Sequence, residues 1–486
     1  MGPEELGSVY ESLLELVPEL QGLGSAATAR LAFVSDDDSP GASARGNTRK
    51  LTGSYYTPDS LVQELIKSAL EPVIARTLAA HPQQPVQALL ALSVCDPACG
   101  SGHFLLSAAR RLADEVALQR AAAEREGGAP APADYRHALR DVVGRCVYGV
   151  DKNPMAIELA RTALWLEAYT PDRPLTFLDH HLRVGDALLG VLDPAVLEHG
   201  IPDEAYTALS GDDKAVAAAL KKQNKADLKS WRRIAGGDLL TDAALAARAA
   251  GVEGLDDDTP AHLAAKREAW AKAQADAQRS SFARLADACV AAFLAPKLAG
   301  AGNTVPLSST LWGVMSGQPA QRQVETAAEA LCRRHGVFHW WLAFPQVAAR
   351  GGFDVMLGNP PWEQLQLSEE EFFASRAPSV AALAGDKRKR AIAELELTAP
   401  WLWHAFHAAK RQYDAANVFF RAGGRPRHPG IAACFAHQAL GRVRERRRAA
   451  GRVQRLAAGT AARRAVRRGL DDGRSGRSRA PFAFAA

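Results

Sequence analysis

Residues 92–104 read Leu-Ser-Val-Cys-Asp-Pro-Ala-Cys-Gly-Ser-Gly-His-Phe, a short apolar run that ends in Asp96 and turns through Gly100 and Gly102 into a helical pattern. Phe104, Leu105, Ala108, Ala109 and Leu112 then recur near the helical period. The same order returns at Cys146-Val147-Tyr148-Gly149-Val150 before Asp151, followed by Ile157, Leu159, Ala160, Leu164 and Trp165. Strand, acid, turn and helix, repeated, are the parts of a doubly wound α/β sheet. A third run ends at Asp186 in LRVGDALLG, and a fourth, Phe353-Asp354-Val355-Met356-Leu357-Gly358, enters Asn359-Pro360-Pro361-Trp362. Ligands of such sheets bind beyond the carboxyl ends of the strands, where all four runs carry polar or special residues. The expected fold is a doubly wound, Rossmann-like α/β sheet.

Working outward, residues 3–22 carry Leu6, Val9, Tyr10, Leu13, Leu14, Leu16 and Val17, an apolar stripe that predicts a helix, and residues 35–50 read as a polar loop. In GSYYTPDSLVQELIKSAL, Thr57 is placed to cap a helix with Pro58 at its first position. The long stretch between the third and fourth strands is dominated by Ala, Lys, Asp and Leu, whose propensities predict an inserted helical subdomain. The expected division is an N-terminal helical segment and loop over 1–50, one part of the sheet domain over 51–195, a helical insertion over 196–334, a second part of the sheet domain over 335–424, and a tail over 425–486.

The tail is an Arg/Ala/Gly-rich segment of weak periodicity, with no visible core. It holds sixteen Arg, no Lys and three acids, a net of +13, which leaves residues 1–424 at −8 within a chain total of +5. The basic balance therefore belongs to the tail and says nothing about what the sheet domain binds. The loss of Lys and of amphipathic period after Gly424 reads as out-of-frame translation, against the alternative of a basic arm that grips phosphates. At 47% hydrophobic and 23% charged, the 486-residue chain has an ordinary globular composition. No run of about 18 apolar residues appears, and the N-terminus carries acids where a signal peptide carries positive charge, so a cytoplasmic protein without membrane contact is expected. Cys95, Cys99, Cys146, Cys289, Cys332 and Cys434 include no CxxC pair, so neither a zinc site nor a disulfide framework is expected.

Each candidate site residue has two readings. Gly100 and Gly102 would let a small ligand approach the backbone at a helix N-terminus, or would serve only a tight turn. No third glycine at the dinucleotide spacing and no GxxxxGK[ST] follows, which speaks against NAD-binding and P-loop readings. Asp151 stands where an acid accepts from a ribose diol, or caps the helix beginning near Pro154. Asp186 would face an exocyclic amine, or close a turn. In Asn359-Pro360-Pro361-Trp362, two prolines fix a donor-poor extended backbone whose carbonyls, with the Asn amide, suit an NH₂ group, while Trp362 offers a stacking face. The alternative is a Pro-Pro turn with a core Trp.

Together these segments resemble the DNA N6-adenine methyltransferases of the large restriction-modification and BREX-type phage-defence methylases. DPACGSGHFL resembles their S-adenosylmethionine loop, VYGVDKNPMAIELARTALWLEA their ribose-binding strand and helix, LRVGDALLG their cofactor-adenine strand, and FDVMLGNPPW their catalytic motif. GSYYTPDSLV is similar to the segment that closes over the methionine end of the cofactor. The resemblance covers about residues 5–190 and 335–425. It implies that Asp96, Ala98, Gly100 and Gly102, with Tyr56, Thr57 and Pro58, hold the methionine moiety, Asp151 and Asn153 the ribose, and Asp186 the adenine. Asn359, Pro360, Pro361 and Trp362 would hold the base to be methylated, an adenine flipped from double-stranded DNA. It further implies defence-system subunits as partners and, because the likeness ends near residue 425, a truncated enzyme; a catalytically silent DNA-binding or assembly subunit is the alternative.

Overall fold

The computed structural model describes residues 17–21, 30–34, 57–124, 129–192, 194–230, 243–300, 304–315, 322–359, 366–374, 376–422 and 482–485. Strands β1 (Val17–Gln21) and β2 (Arg30–Val34) pair antiparallel as a two-stranded ribbon, with Val17 opposite Val34. The described part of the helix expected over residues 3–22 is thus a strand. Pro18 supplies a reason, since it lacks an N–H and opposes a helix interior. Residues 1–16 lie outside the described residues.

The main sheet comprises β3 (Val94–Asp96), β4 (Val147–Asp151), β5 (Leu182–Val184), β6 (Val355–Gly358) and β7 (Phe482–Ala485), in the order β5-β4-β3-β6-β7. The first four are parallel, and β7 runs antiparallel along β6. The chain builds outward from β3 through β4 to β5, then returns to lay β6 on the other flank of β3. The strand order therefore reverses between β3 and β6, which makes the crevice beyond their ends the switch point of the sheet. Ser93 fixes this pairing: its N–H and hydroxyl donate to Asp354 Oδ2 at 3.0 and 2.9 Å, holding Val94 opposite Val355.

Strand alternation divides the core between the two faces. Val94, Val147, Val355 and Leu357 pack on one side against helices α1 (Asp59–Leu65), α2 (His103–Glu124), α3 (Pro132–Arg145) and α4 (Pro154–Glu167), which contribute Val62, Leu105, Leu139 and Ile157. Cys95, Tyr148 and Val150 face the other way, onto Phe338, Trp340, Phe344 and Phe353. Each fully buried aliphatic or aromatic side chain of this kind stabilises the fold by about 1.5–3 kcal/mol.

Between β5 and β6 the described chain is helical, including α5 (Ala243–Glu253), α6 (Pro260–Arg279), α7 (Ser281–Leu294) and α8 (Arg322–Arg334). Alanines let α7 be buried on nearly all sides, at the centre of a second core with Leu311 and Trp341. These helices are fastened to the sheet at Glu253, whose Oε1 accepts from the Tyr148 hydroxyl at 2.7 Å and from Gln346 Nε2 at 2.8 Å. Helix α9 (Pro400–Ala422) returns Phe420 to the second face of the sheet.

Of the arginine-rich segment 425–486, only β7 lies among the described residues, and its weak periodicity had predicted no element there. The out-of-frame reading of that segment otherwise falls outside the described residues. Among the described residues no helix is long and apolar enough to cross a membrane.

Candidate active site

Asp96 closes β3 and is 1% exposed. Its Oδ1 accepts from the Ala98 N–H at 3.0 Å, while the buried Oδ2 has no hydrogen-bond partner among the described residues. Burial, opposed by the Ala98 bond and reinforced by the charge of Asp151, pushes this carboxyl up to about 8. A buried carboxyl with one open oxygen is a socket for a donor, and a cationic donor suits it best. Gly358, at the end of β6, presses against it: a Cβ there would lie 2.5 Å from Asp96 Oδ1. Only glycine allows β6 to close on β3 at this point.

The loop after Asp96 uses its glycines for two purposes. Gly100 and Gly102 have φ of 53° and 91°, in the left-handed region that glycine enters freely. A Cβ on Gly102 would come within 3.1 Å of Ala160 Cβ, so this glycine lets the start of α2 lie against α4. A Cβ on Gly100 would meet nothing within 4 Å among the described residues. The loop is therefore packed at Gly102 and open at Gly100.

Asp151 joins this loop to the next. Its Oδ2 accepts from the Gly100 N–H at 2.9 Å and its Oδ1 from the Asn153 N–H at 2.8 Å. The helix that Asp151 was weighed to cap is capped by Asn153, whose Oδ1 accepts from the Met155 N–H at 3.0 Å. Because a carboxylate offers about four acceptor positions, these bonds still leave Asp151 a position for a ligand hydroxyl. Burial raises its pKa, with the backbone bonds from Asn153, Gly100 and Lys152 opposing.

Asp186 does close a turn, its Oδ1 accepting from the Leu188 and Leu189 N–H groups at 3.1 and 3.3 Å. Its Oδ2 pairs with Lys152 Nζ at 3.1 Å, and this carboxylate raises the lysine's pKa. The ion pair carries the link from the second strand end to the third.

The segment before α1 corrects one expectation. Pro58, not Thr57, occupies the cap position of α1, and no side-chain cap bond is made. The buried Thr57 hydroxyl instead accepts from Asn359 Nδ2 at 3.2 Å, a contact between residues 302 apart in sequence. The bond turns the amide nitrogen of Asn359 toward Thr57. His103 Nε2, at the start of α2, approaches Asp59 Oδ1 at 3.6 Å and ties α1 over the same loop. Tyr56, Pro360, Pro361 and Trp362 lie outside the described residues.

The structure thus joins Thr57 to Asn359, Asp96 to Ala98 and to Gly358, and Asp151 to Gly100 and Asn153, and it reaches Asp186 through Lys152; Gly102 packs on Ala160, and Pro58 begins α1. Two participants were missed in the sequence. Gly358 carried a signal, a glycine directly before Asn359 at a strand end. Lys152 carried none, since its partner lies in another segment.

The family model of the Eco57I restriction-modification methylases matches residues 145–392, half of the chain, and that of the MmeI DNA-methyltransferase domain matches residues 78–184. A putative type II restriction enzyme and methyltransferase of Methanocaldococcus jannaschii is 23% identical over 232 residues, which cover 40% of this chain and 17% of that protein. The adenine-specific methyltransferase PglX of Streptomyces coelicolor is 38% identical over 106 residues, 20% of this chain and 8% of its own length. The chain covers less than a fifth of either relative.

Proposed function

The chain belongs to the Eco57I restriction-modification methylase family, and from that premise we propose that it methylates the N6 amine of adenine in double-stranded DNA, using S-adenosylmethionine, in restriction-modification or phage defence in the cytoplasm. One observation carries the reading: a buried, half-satisfied Asp96 stands at the switch point beside the strand that leads to Asn359. A socket for a cationic amine beside an amide acceptor is the arrangement that the proposed reaction requires. The adenine assignment is supported by Asn at position 359 and by the printed specificity of the PglX relative.

The residues present fit S-adenosylmethionine. Asp96 Oδ2 would accept from the ammonium of the methionine moiety, satisfying the orphaned oxygen. The open space at Gly100 admits the cofactor's chain, and the remaining lone pairs of Asp151 suit the ribose hydroxyls. Asp186, Asn153, Ala98, Gly102, Tyr56, Thr57 and Pro58 would complete the pocket. When bound, the cofactor supplies an electrophilic methyl group on sulfonium.

This chain's own residues then have a positioning task. Asn359, whose amide nitrogen donates to Thr57, would accept one N6 hydrogen at Oδ1. The Pro360 carbonyl would accept the other, with Pro361 stiffening the segment and Trp362 stacking on the flipped base. Two acceptors aim the nitrogen lone pair and favour the positive charge that develops there, so orientation and electrostatics supply the acceleration without a strong general base.

Tritium transfer from labelled S-adenosylmethionine to DNA, with the product nucleoside identified, tests the reading. N6-methyladenine is expected, with Asn359→Ala lowering transfer on the order of a hundredfold while cofactor affinity stays near wild type. N4-methylcytosine would overturn the adenine assignment. Cofactor binding without transfer to any DNA would favour the silent assembly-subunit reading.

A further inference from the structure

A half-open cleft of about 570 Å³ lies along the outer edge of β5, walled by residues of α5, α6, α7 and α8. Arg183, Val184 and Gly185 line it from the sheet, whereas Asp96, Gly100, Asp151 and Asn359 do not line it at all. It meets the switch-point site only at Lys152, which lines the cleft and pairs with Asp186. Its volume is that of pockets which enclose a nucleotide-sized molecule.

The side chain that asks for a ligand is Arg183. Its guanidinium lies over the Trp270 ring, 4.9 Å from the centroid, and makes no hydrogen bond or ion pair among the described residues. Other partly buried arginines of this protein behave differently: Arg110, Arg161 and Arg411 each close on a carboxylate, from Glu167, Asp179 and Asp212 respectively. Asp179, the acid that acts on Arg183 through space, is thus already committed to Arg161. Burial, opposed by the charge of Asp179, pushes the half-buried Arg183 down to about 10. Among the other charged groups on the cleft wall, Lys152 pairs with Asp186, Arg333 with Glu329 and Asp287 with His339. Among the described residues, Arg183 is the cation of this wall without a carboxylate partner.

The rest of the wall describes the body of the ligand. Leu245, Ala249 and Ala273 give an apolar side, and the amides of Gln274 and Gln278 offer donor and acceptor pairs of the kind that match the polar edge of a base. We propose that this cleft is a second ligand site, for a phosphate monoester of nucleotide size, with the phosphate in the fork of Arg183. The planar guanidinium binds phosphate oxygens in pairs, and an anion there would relieve the cost of an uncompensated charge. The inference is independent of the methyl-transfer reading.

Calorimetry on the full chain with thymidine 5′-monophosphate and, separately, inorganic phosphate provides the test; a pyrimidine nucleotide avoids the adenine preference of the other site. Saturable binding is expected, tighter for the nucleotide than for phosphate and unaffected by saturating S-adenosylmethionine. Arg183→Met, which keeps an unbranched stem over Trp270, should weaken it on the order of tenfold to a hundredfold. Arg183→Lys should fall between, because charge survives without the fork. Melting temperatures of both variants, and their affinity for S-adenosylmethionine, should stay near wild type, which separates loss of the site from loss of the fold. Equal affinity for nucleotide and phosphate would assign the fork to free phosphate and overturn the nucleotide-sized occupant. No saturable binding at millimolar ligand, displacement by S-adenosylmethionine, or affinity untouched by Arg183→Met would overturn the site itself.

Discussion

Below about pH 8 the ligand-free Asp96 carries a proton, because burial and the neighbouring Asp151 disfavour its charge. An ammonium ligand must displace that proton, so affinity for S-adenosylmethionine should climb between about pH 6 and pH 8. Calorimetry across that range should show the slope in the wild type and a flat, weaker response in Asp96→Asn. The same shift has the opposite sign for stability. A carboxyl raised from its ordinary value contributes stability that is complete at low pH and is lost as pH rises toward 8. Thr57 offers a second residue-scale test. Thr57→Val keeps the shape but removes the acceptor for Asn359 Nδ2, freeing the amide to turn. Methyl transfer should fall about tenfold at saturating cofactor, and Thr57→Ser should restore it. This pairing was invisible in the sequence because two residues 302 apart leave no local pattern. Asp96, Asp151 and Asn359 were legible because each ends an apolar run.

Among the elements, the loop from β3 to α2 makes a paired prediction. Gly100→Ala adds a methyl where nothing lies within 4 Å, so its Cβ should intrude on the ligand more than on the fold. Gly102→Ala pushes into Ala160 and should separate α2 from α4. Both carry the left-handed backbone penalty of about 1 kcal/mol or more. Thermal melts with and without S-adenosylmethionine should therefore show the larger loss of intrinsic stability in Gly102→Ala and the larger loss of the ligand-induced shift in Gly100→Ala. The first two parallel strands could be read in advance because run, acid, turn and helix recur together, and the other two because each apolar run ends in a polar residue, Asp186 or Asn359. β1 could not, since its apolar residues belong equally to a helical stripe and only Pro18 argued otherwise. β7 could not either, because four residues acquire strand character from the edge of β6 and from nothing in their own surroundings.

At the scale of the molecule, the helices between β5 and β6 are joined to the sheet through a buried aromatic cluster. His180 stacks on Phe177 and His181 at ring distances of 5.3 and 3.9 Å and meets the edge of Trp270 on α6 at 6.1 Å. Neither of its ring nitrogens has a hydrogen-bond partner among the described residues. Burial first, then the charges of His181, Lys266 and Arg183, holds its pKa well below the ordinary value of 6.5. A histidine depressed in this way contributes stability that is present above pH 6.5 and lost as the pH falls, because the unfolded chain takes up the proton first. Between about pH 7 and pH 5 this contribution opposes that of Asp96, so His180→Phe should gain melting temperature relative to the wild type as the pH falls through that range. The chain order of the sheet has a consequence in time. Asn359 follows Asp96 by 263 residues, which a ribosome adding roughly 5–20 residues per second needs about 13 to 50 seconds to make. β6 is thus the last of the four parallel strands to be synthesised, although it lies inside the sheet between β3 and β7. A nascent chain can assemble the cluster of Asp96, Gly100 and Asp151 while Asn359 does not yet exist, so the schedule of translation sets that cluster before the strand leading to Asn359 arrives.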